Sequence, residues 1–166
     1  MTMTMYQNSI TQFKKMLTNT SAILKKAEAY AKIKEIEPKA LLEARLFPNM
    51  FNLIKQIQIA TDQVRHGFGR IAGIELLKLD DSENSFADLQ NRIKQTIKYL
   101  NKIKPEHLKG TEQKQIKFSI RDKNFEFKAE DYITTWIVPN FYFHIMTAYN
   151  LLRHNGVEIG KKDYLG

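Results

Sequence analysis

The feature that most constrains the fold of this chain is a stretch near its end, from Trp136 to Gly156, in which apolar residues recur every three or four positions. These residues are Ile137, Phe141, Ile145, Ala148 and Leu152. The spacing places them on one face of a helix, and such a helix buries that face against other elements. Asn155-Gly156 predicts the helix end, because glycine adopts the left-handed conformation that closes a helix. Pro139 fits either the first helical turn or a kink in a longer helix.

Three earlier stretches show the same spacing and are also predicted to be helices. Their predicted bounds are Met5 to Lys34, Pro48 to Gly73, and Ser85 to Pro105. Ser85 with Asp88 three residues later is typical of a helix start, and the acidic segment Leu79 to Asn84 before it is predicted to be a loop. Four amphipathic helices that share one core indicate an all-α fold, a four-helix bundle.

The spacing changes from three or four to two after Gly110. Apolar and polar residues alternate on either side of Arg121-Asp122-Lys123-Asn124. This alternation predicts a β-hairpin with a four-residue turn, placed between the third and fourth helices. We find no internal repeat and no linker, so we expect one domain over residues 1–166.

The composition narrows the function classes. A hydrophobic content of 43% excludes a disordered chain. There is no cysteine, which excludes disulfides, thiol nucleophiles and thiolate metal sites. No apolar run approaches the roughly 20 residues that span a bilayer, and the first residues lack the features of a signal peptide. We therefore expect a soluble cytoplasmic protein without a membrane partner.

The net charge of +8 is concentrated in one part of the chain. Residues 91–130 contain 11 Lys and Arg against 5 Asp and Glu, a net charge of +6. A basic region favours an anionic partner, and a lysine-rich solvated surface is the simpler interpretation. Few aromatic residues are interleaved, and no nucleic-acid-binding motif is present, so the pattern argues against nucleic acid as the partner.

Several motifs resemble those of one bacterial family. They are Ala44-Arg45-Leu46 with Pro48-Asn49-Met50, the run from Gln56 to Asp62, Pro139-Asn140-Phe141-x-Phe143-His144, Leu152 to Val157, and Gly160-Lys161-x-Asp163-Tyr164-Leu165-Gly166. The family is a domain of unknown function within the DinB/YfiT-like superfamily. The resemblance covers almost the whole chain and implies a four-helix bundle, but the family has no settled activity.

The resemblance also raises the question of a metal. Many members of the superfamily bind a divalent metal through one histidine of the second helix and a His-x-x-x-His pair of the last. Here His144 is followed four residues later by Ala148, and His154 lies about 15 Å farther along an unbroken helix. In the region of the second helix where a histidine would be expected, the chain has Asn52 and Gln56, and His66 lies near the far end of that helix. We therefore expect no three-histidine metal site and no cofactor.

His144 is the residue that most suggests chemistry, because the pattern puts a titratable ring in the centre of the bundle. The candidate ligand-binding residues are His144, Asn140, Tyr149, Asp62, Gln56 and Arg45, the last as an anion-binding fork. The alternative is a neutral, structural histidine whose hydrogen-bond partner is Asp62 or a glutamine.

Three functions stay open at this point. The first is a DinB-like bundle without the metal that binds a small molecule or acts as a stress-linked accessory protein. The second is a metal-dependent enzyme of the thiol-transferase or hydrolase kind. The third is a basic module that binds nucleic acid or another polyanion. The resemblance and the aromatic residues of the last helix also predict a homodimer.

Overall fold

The computed structural model of the chain describes Thr4 and residues 9–166. It is mostly helical and has one two-stranded hairpin. In chain order the elements are α1 (Ile10–Ile33), α2 (Pro38–Leu42), α3 (Leu53–Ala72), α4 (Phe86–Leu100), α5 (Pro105–Leu108), β1 (Gln115–Ile120), β2 (Lys123–Lys128), α6 (Ala129–Asp131), a π-helical segment (Tyr132–Ile137), α7 (Val138–His154) and α8 (Lys161–Leu165). The four stretches with helical spacing correspond to α1, α3, α4 and α7; residues 5–8 of the first prediction lie outside the described residues.

Two predicted helix starts can be checked against the caps. Ser85 is the N-cap of α4, and its hydroxyl accepts a hydrogen bond from the backbone N–H of Asp88 at 3.1 Å, as predicted. The prediction that Pro48 opens α3 was wrong. The helix begins at Leu53, because the side chain of Asn52 accepts a hydrogen bond from the N–H of Lys55 at 3.0 Å and so caps the first turn.

The long helices bury their apolar faces against one another. Helix α3 packs against α4 and α7, and α1 packs against α4 and α7. The ring of Phe13 on α1 lies 5.6 Å from that of Phe68 on α3 and 4.7 Å from that of Phe141 on α7, centroid to centroid. Helices α1, α3 and α7 therefore meet at Phe13 in the core.

Pro139 is the second residue of α7, but helical backbone begins ten residues earlier at Ala129. Between them, Tyr132–Ile137 is π-helical. Proline lacks an N–H group and its ring crowds the preceding turn, so the wider π-helical turn accommodates it inside a longer helical run. A Cβ atom on Gly67 of α3 would lie 2.3 Å from Cδ1 of Ile137, so this glycine lets α3 approach the π-helical segment closely.

The predicted hairpin is present, but its turn is shorter than expected. Strands β1 and β2 are antiparallel with Ile120 opposite Lys123, so only Arg121 and Asp122 lie in the turn. The four-residue turn was therefore wrong, because Arg121 adopts a left-handed φ of 51°, as tight hairpin turns require, and pairing continues to the end of each strand. Within residues 9–166, no helix has the length and apolar content needed to cross a membrane.

Candidate functional site

His144 and Gln56 form a hydrogen-bonded pair between α7 and α3. The distance between Nδ1 of His144 and Oε1 of Gln56 is 2.6 Å, and the two residues are 8% and 1% exposed. Both face the core because each lies on the apolar face of its helix. The structure thus pairs His144 with a glutamine and not with Asp62.

The amide of Gln56 is oriented by a second hydrogen bond. Its Nε2 donates to the carbonyl oxygen of Phe51 at 3.0 Å, so Oε1 is the atom that faces His144. An amide oxygen can only accept, which places the imidazole proton on Nδ1. Nε2 of His144 is then an acceptor, and no described residue forms a hydrogen bond to it.

The imidazole is neutral over the physiological pH range. Burial penalises the charged form and lowers the pKa of His144 from 6.5 to about 4. The side chain therefore presents a neutral acceptor nitrogen next to the core. A group of this kind accepts a hydrogen bond from an O–H or N–H donor.

Apolar side chains lie exposed in the two segments that flank this pair. One segment is the loop before α3, and the other is the first half of α7. The exposed residues are Leu46 (38%), Phe47 (60%), Phe51 (50%), Phe143 (57%) and Met146 (38%). The ring of Phe143 packs edge-on against His144 at 5.2 Å between centroids. Five of the eight large hydrophobic residues that are exposed among the described residues thus belong to these two segments.

The two other candidates on α7 do not bond to His144. Asn140 lies one turn earlier, and its Nδ2 donates to the carbonyl oxygen of Trp136 at 2.7 Å. The ring of Tyr149 packs edge-on against Tyr164 of α8 at 5.8 Å. Asn140 thus stabilises the helical run by a hydrogen bond to its backbone, and Tyr149 helps to hold α8 in place.

The remaining two candidates are engaged elsewhere. Asp62 accepts hydrogen bonds from Arg65 at 2.9 Å and from Arg92, so it belongs to a separate charged cluster. Arg45 is exposed and donates to the carbonyl oxygen of Met50, which fixes the loop before α3. The structure therefore joins Gln56 and His144 by a hydrogen bond, and the other four candidates contact other residues.

That charged cluster is centred on a residue that the sequence analysis did not single out. The side chain of Arg92 on α4 is 1% exposed. Its Nε donates to Oγ1 of Thr61 at 2.7 Å, and its Nη atoms bond to Glu83 at 2.8 Å and to Asp62. Burial lowers the pKa of Arg92, but Glu83 and Asp62 outweigh it and raise the pKa overall. In the amino-acid sequence, the only signal of a buried cation on α4 was the acidic loop that precedes this helix.

The histidines do not fit a shared metal site. Nδ1 of His144 is bonded to Gln56, His66 lies ten residues farther along α3, and His154 is exposed at the end of α7. His107 accepts a hydrogen bond from the N–H of Lys104 at 3.1 Å. Within the described part of the chain, no three His, Asp or Glu side chains lie close enough to hold a metal ion.

The amino-acid sequence matches the family model described as Domain of unknown function (DUF1993) over residues 5–165. The chain belongs to this family. The DUF1993 chain is also similar to the crystal structure of a DinB family member protein from Shewanella denitrificans, with 42% identity over 97% of this chain and 91% of that chain and a TM-score of 0.91. No curated protein matches the chain. The resemblance drawn from the motifs is thereby confirmed.

Proposed function

We propose that this chain is a cytoplasmic DinB-like four-helix bundle, one domain over residues 1–166, that binds a small organic molecule at His144 without a metal. The observation that carries the proposal is the acceptor nitrogen of His144. Gln56 fixes the proton on Nδ1, and Nε2 has no hydrogen-bond partner among the described residues. Among the described residues no buried side-chain nitrogen or oxygen lacks a hydrogen-bond partner, so the unpartnered Nε2 is accessible to solvent. An accessible acceptor beside exposed aromatic rings is suited to a ligand.

The surroundings define the class of ligand. The Nε2 lone pair of the neutral imidazole accepts a hydrogen bond from an O–H or N–H donor and repels an anion. A neutral imidazole nitrogen can also bind a metal ion, but no group of three His, Asp or Glu side chains among the described residues could hold one. Phe51 and Phe143 are 50% and 57% exposed beside the pair and offer ring faces for an apolar or aromatic body. The proposed ligand is therefore a neutral molecule with an apolar body and one hydrogen-bond donor.

Phenol and anisole form a matched pair of probes for this proposal, since both carry an aromatic ring but only phenol has an O–H donor. We expect phenol to shift the Nε2 resonance of His144 saturably in ¹⁵N NMR spectra at pH 7. Anisole should shift it much less. His144→Gln lacks this resonance, so binding to that variant is followed by the backbone amide resonances of Phe51 and Phe143. The preference for phenol should disappear in His144→Gln, while His107→Gln should behave as wild type.

Two results would overturn the proposal. The first is an unchanged Nε2 resonance at the solubility limit of phenol. The second is equal binding of phenol and anisole in wild type and in His144→Gln, which would show a purely apolar surface. Metal addition supplies a further check: a near-stoichiometric ion that is lost on His144→Gln would favour the metal-dependent enzyme instead.

The homodimer stays a prediction. Phe143 and Met146 on α7 are 57% and 38% exposed, and a second copy of the chain is one way to cover them. Light scattering at tens of micromolar should give about twice the chain mass of 19.4 kDa. A mass near 19.4 kDa would contradict the dimer and leave the His144 proposal in place.

A further inference from the structure

A groove far from His144 runs between the segment after α3 and the last turns of α4. One cavity of about 440 Å³ is lined by Ile74, Leu76, Leu77 and Tyr99, with Lys78 and Lys102 at its rim. A second cavity of about 330 Å³ shares Leu77, Tyr99 and Lys102 and extends to Lys98. The two cavities adjoin at these shared residues and are together called the groove here. Its size falls in the range of small-molecule sites.

The floor of the groove is held in place by several contacts. The hydroxyl of Tyr99, a residue only 4% exposed, donates to the carbonyl oxygen of Glu75 at 3.1 Å. The guanidinium of Arg65 donates to the carbonyl oxygen of Leu77. These bonds fix the segment after α3 against α4, so the groove is formed before any ligand arrives.

Gly69 on α3 adds a steric requirement to this floor. A Cβ atom at this position would lie 2.3 Å from the hydroxyl oxygen of Tyr99 and 2.5 Å from Cδ2 of Leu76. Any larger residue would therefore displace the two side chains that line the groove. The backbone of α3 approaches the floor closely because position 69 has no side chain.

The rim of the groove is positively charged. Lys78, Lys98 and Lys102 are exposed, and none of them forms an ion pair with a described residue. Glu75 is the one carboxylate that lines the groove, and it makes no ion pair with these lysines either. By contrast, Lys55 is paired with Asp81 at 2.5 Å and Lys117 with Glu126 at 3.0 Å.

We propose that this groove binds a small organic anion with an apolar body, such as a medium-chain carboxylate. The aliphatic side chains and the ring of Tyr99 contact the apolar body, and the rim lysines attract the carboxylate. The site is separate from the one proposed at His144, and neither depends on the other. It also gives part of the basic residues 91–130 a role that needs no nucleic acid.

Octanoate, 1-octanol and acetate are the probes that test the proposal. We expect octanoate to shift the methyl resonances of Leu76 and Leu77 saturably in NMR titrations, with 1-octanol weaker and acetate without effect. The double variant Lys98→Gln/Lys102→Gln should weaken octanoate binding about fivefold, the loss expected for two exposed ion pairs. Binding of 1-octanol should be unchanged in that variant.

The double variant Lys15→Gln/Lys32→Gln is the matched control, because these two lysines are exposed on α1 and make no ion pair with a described residue. It should bind octanoate as wild type does. If both double variants lost octanoate affinity equally, the loss would follow from the lower net charge alone, and the proposal would be overturned. Polyphosphate provides the last outcome: if it shifts the groove resonances as strongly as octanoate, the surface is a polyanion site and the proposal fails.

Discussion

The protein contains two buried polar centres, and they differ in how completely they are satisfied. Around Arg92 on α4, a buried guanidinium bonds to Thr61, Glu83 and Asp62. Around His144 on α7, one ring nitrogen bonds to Gln56 and the other has no partner among the described residues. The first centre joins α3, α4 and the acidic loop between them, whereas the second joins α3, α7 and, through Gln56, the loop before α3.

The difference separates a structural role from a functional one. A buried charge whose donors are bonded to fixed protein groups holds elements together and has little to offer a ligand. A largely buried neutral ring whose second nitrogen is accessible to solvent can bind a donor without breaking a contact within the protein. Sequence position does not distinguish the two centres, since both residues occur on amphipathic helices.

Arg92→Met should have the largest effect. Removing the guanidinium leaves Glu83, whose side chain is 9% exposed, without its cation, and leaves Asp62 with Arg65 alone. We expect a loss of about 3–5 kcal/mol in the free energy of unfolding, measured by urea denaturation. Arg121→Met in the exposed hairpin turn is the control and should change it by less than about 0.5 kcal/mol. A loss below about 1 kcal/mol for Arg92→Met would mean that Arg92 does not hold α3, α4 and the acidic loop together.

Acid should destabilise the protein through His144. Burial lowers its pKa to about 4, against 6.5 for the ordinary side chain, so the unfolded chain binds more protons between these pH values. Stability is therefore lost as the pH falls from about 6.5 to about 4, by at most about 3 kcal/mol from this residue. Below pH 4, protonation of carboxylates with a lowered pKa takes over; hydrogen bonds from Ser85 and Lys26 lower those of Asp88 and Asp163.

Urea denaturation at pH 7, 6, 5 and 4 checks this prediction. His144→Gln should show a smaller loss of stability over that range than wild type. His66→Gln is needed alongside it, because burial and Arg65 also lower the pKa of His66 to about 4. An unchanged pH dependence in His144→Gln would mean that the imidazole is not buried as neutral.

Gln56→Leu should have an intermediate effect. The substitution removes the acceptor for Nδ1–H of His144 and the donor for the carbonyl oxygen of Phe51. We expect a loss of about 1–3 kcal/mol, because Nδ1–H of the buried His144 and the carbonyl oxygen of Phe51 both lose their partner. The ¹⁵N spectrum should also show proton occupancy on both ring nitrogens. Gln63→Leu, on the same helix but without a hydrogen bond to a described residue, should leave both the stability and the spectrum unchanged.

His144→Gln should have the smallest effect on stability at pH 7. A glutamine amide can still donate to Oε1 of Gln56, and the atom that is lost, Nε2, bonds to no described residue. The expected loss is below about 1 kcal/mol in urea denaturation. A loss above about 2 kcal/mol would place His144 with Arg92 as a structural group, and the ligand site should then be dropped.

The amino-acid sequence by itself determined the four long helices, the hairpin and the family. Apolar spacing and caps such as Ser85 are local signals, and each acts within a few residues of the element that it specifies. The motifs around His144 and Gln56 also marked both members of the pair as candidates. The turn that begins at Arg121 was predicted two residues too long and the start of α3 five residues too early, because strand pairing and the Asn52 cap decide these ends.

Only the tertiary structure decided which candidates meet. It paired Gln56 with His144 across 88 positions of the chain. Asp62, the other predicted partner of His144, bonds to Arg92 instead. Of the basic residues 91–130, the tertiary structure buried Arg92 in the core and placed Lys98 and Lys102 at the rim of the groove. These contacts depend on how whole helices rotate and pack against one another. Each rotation is set by many apolar residues at once, and the sequence near a single polar residue does not record it.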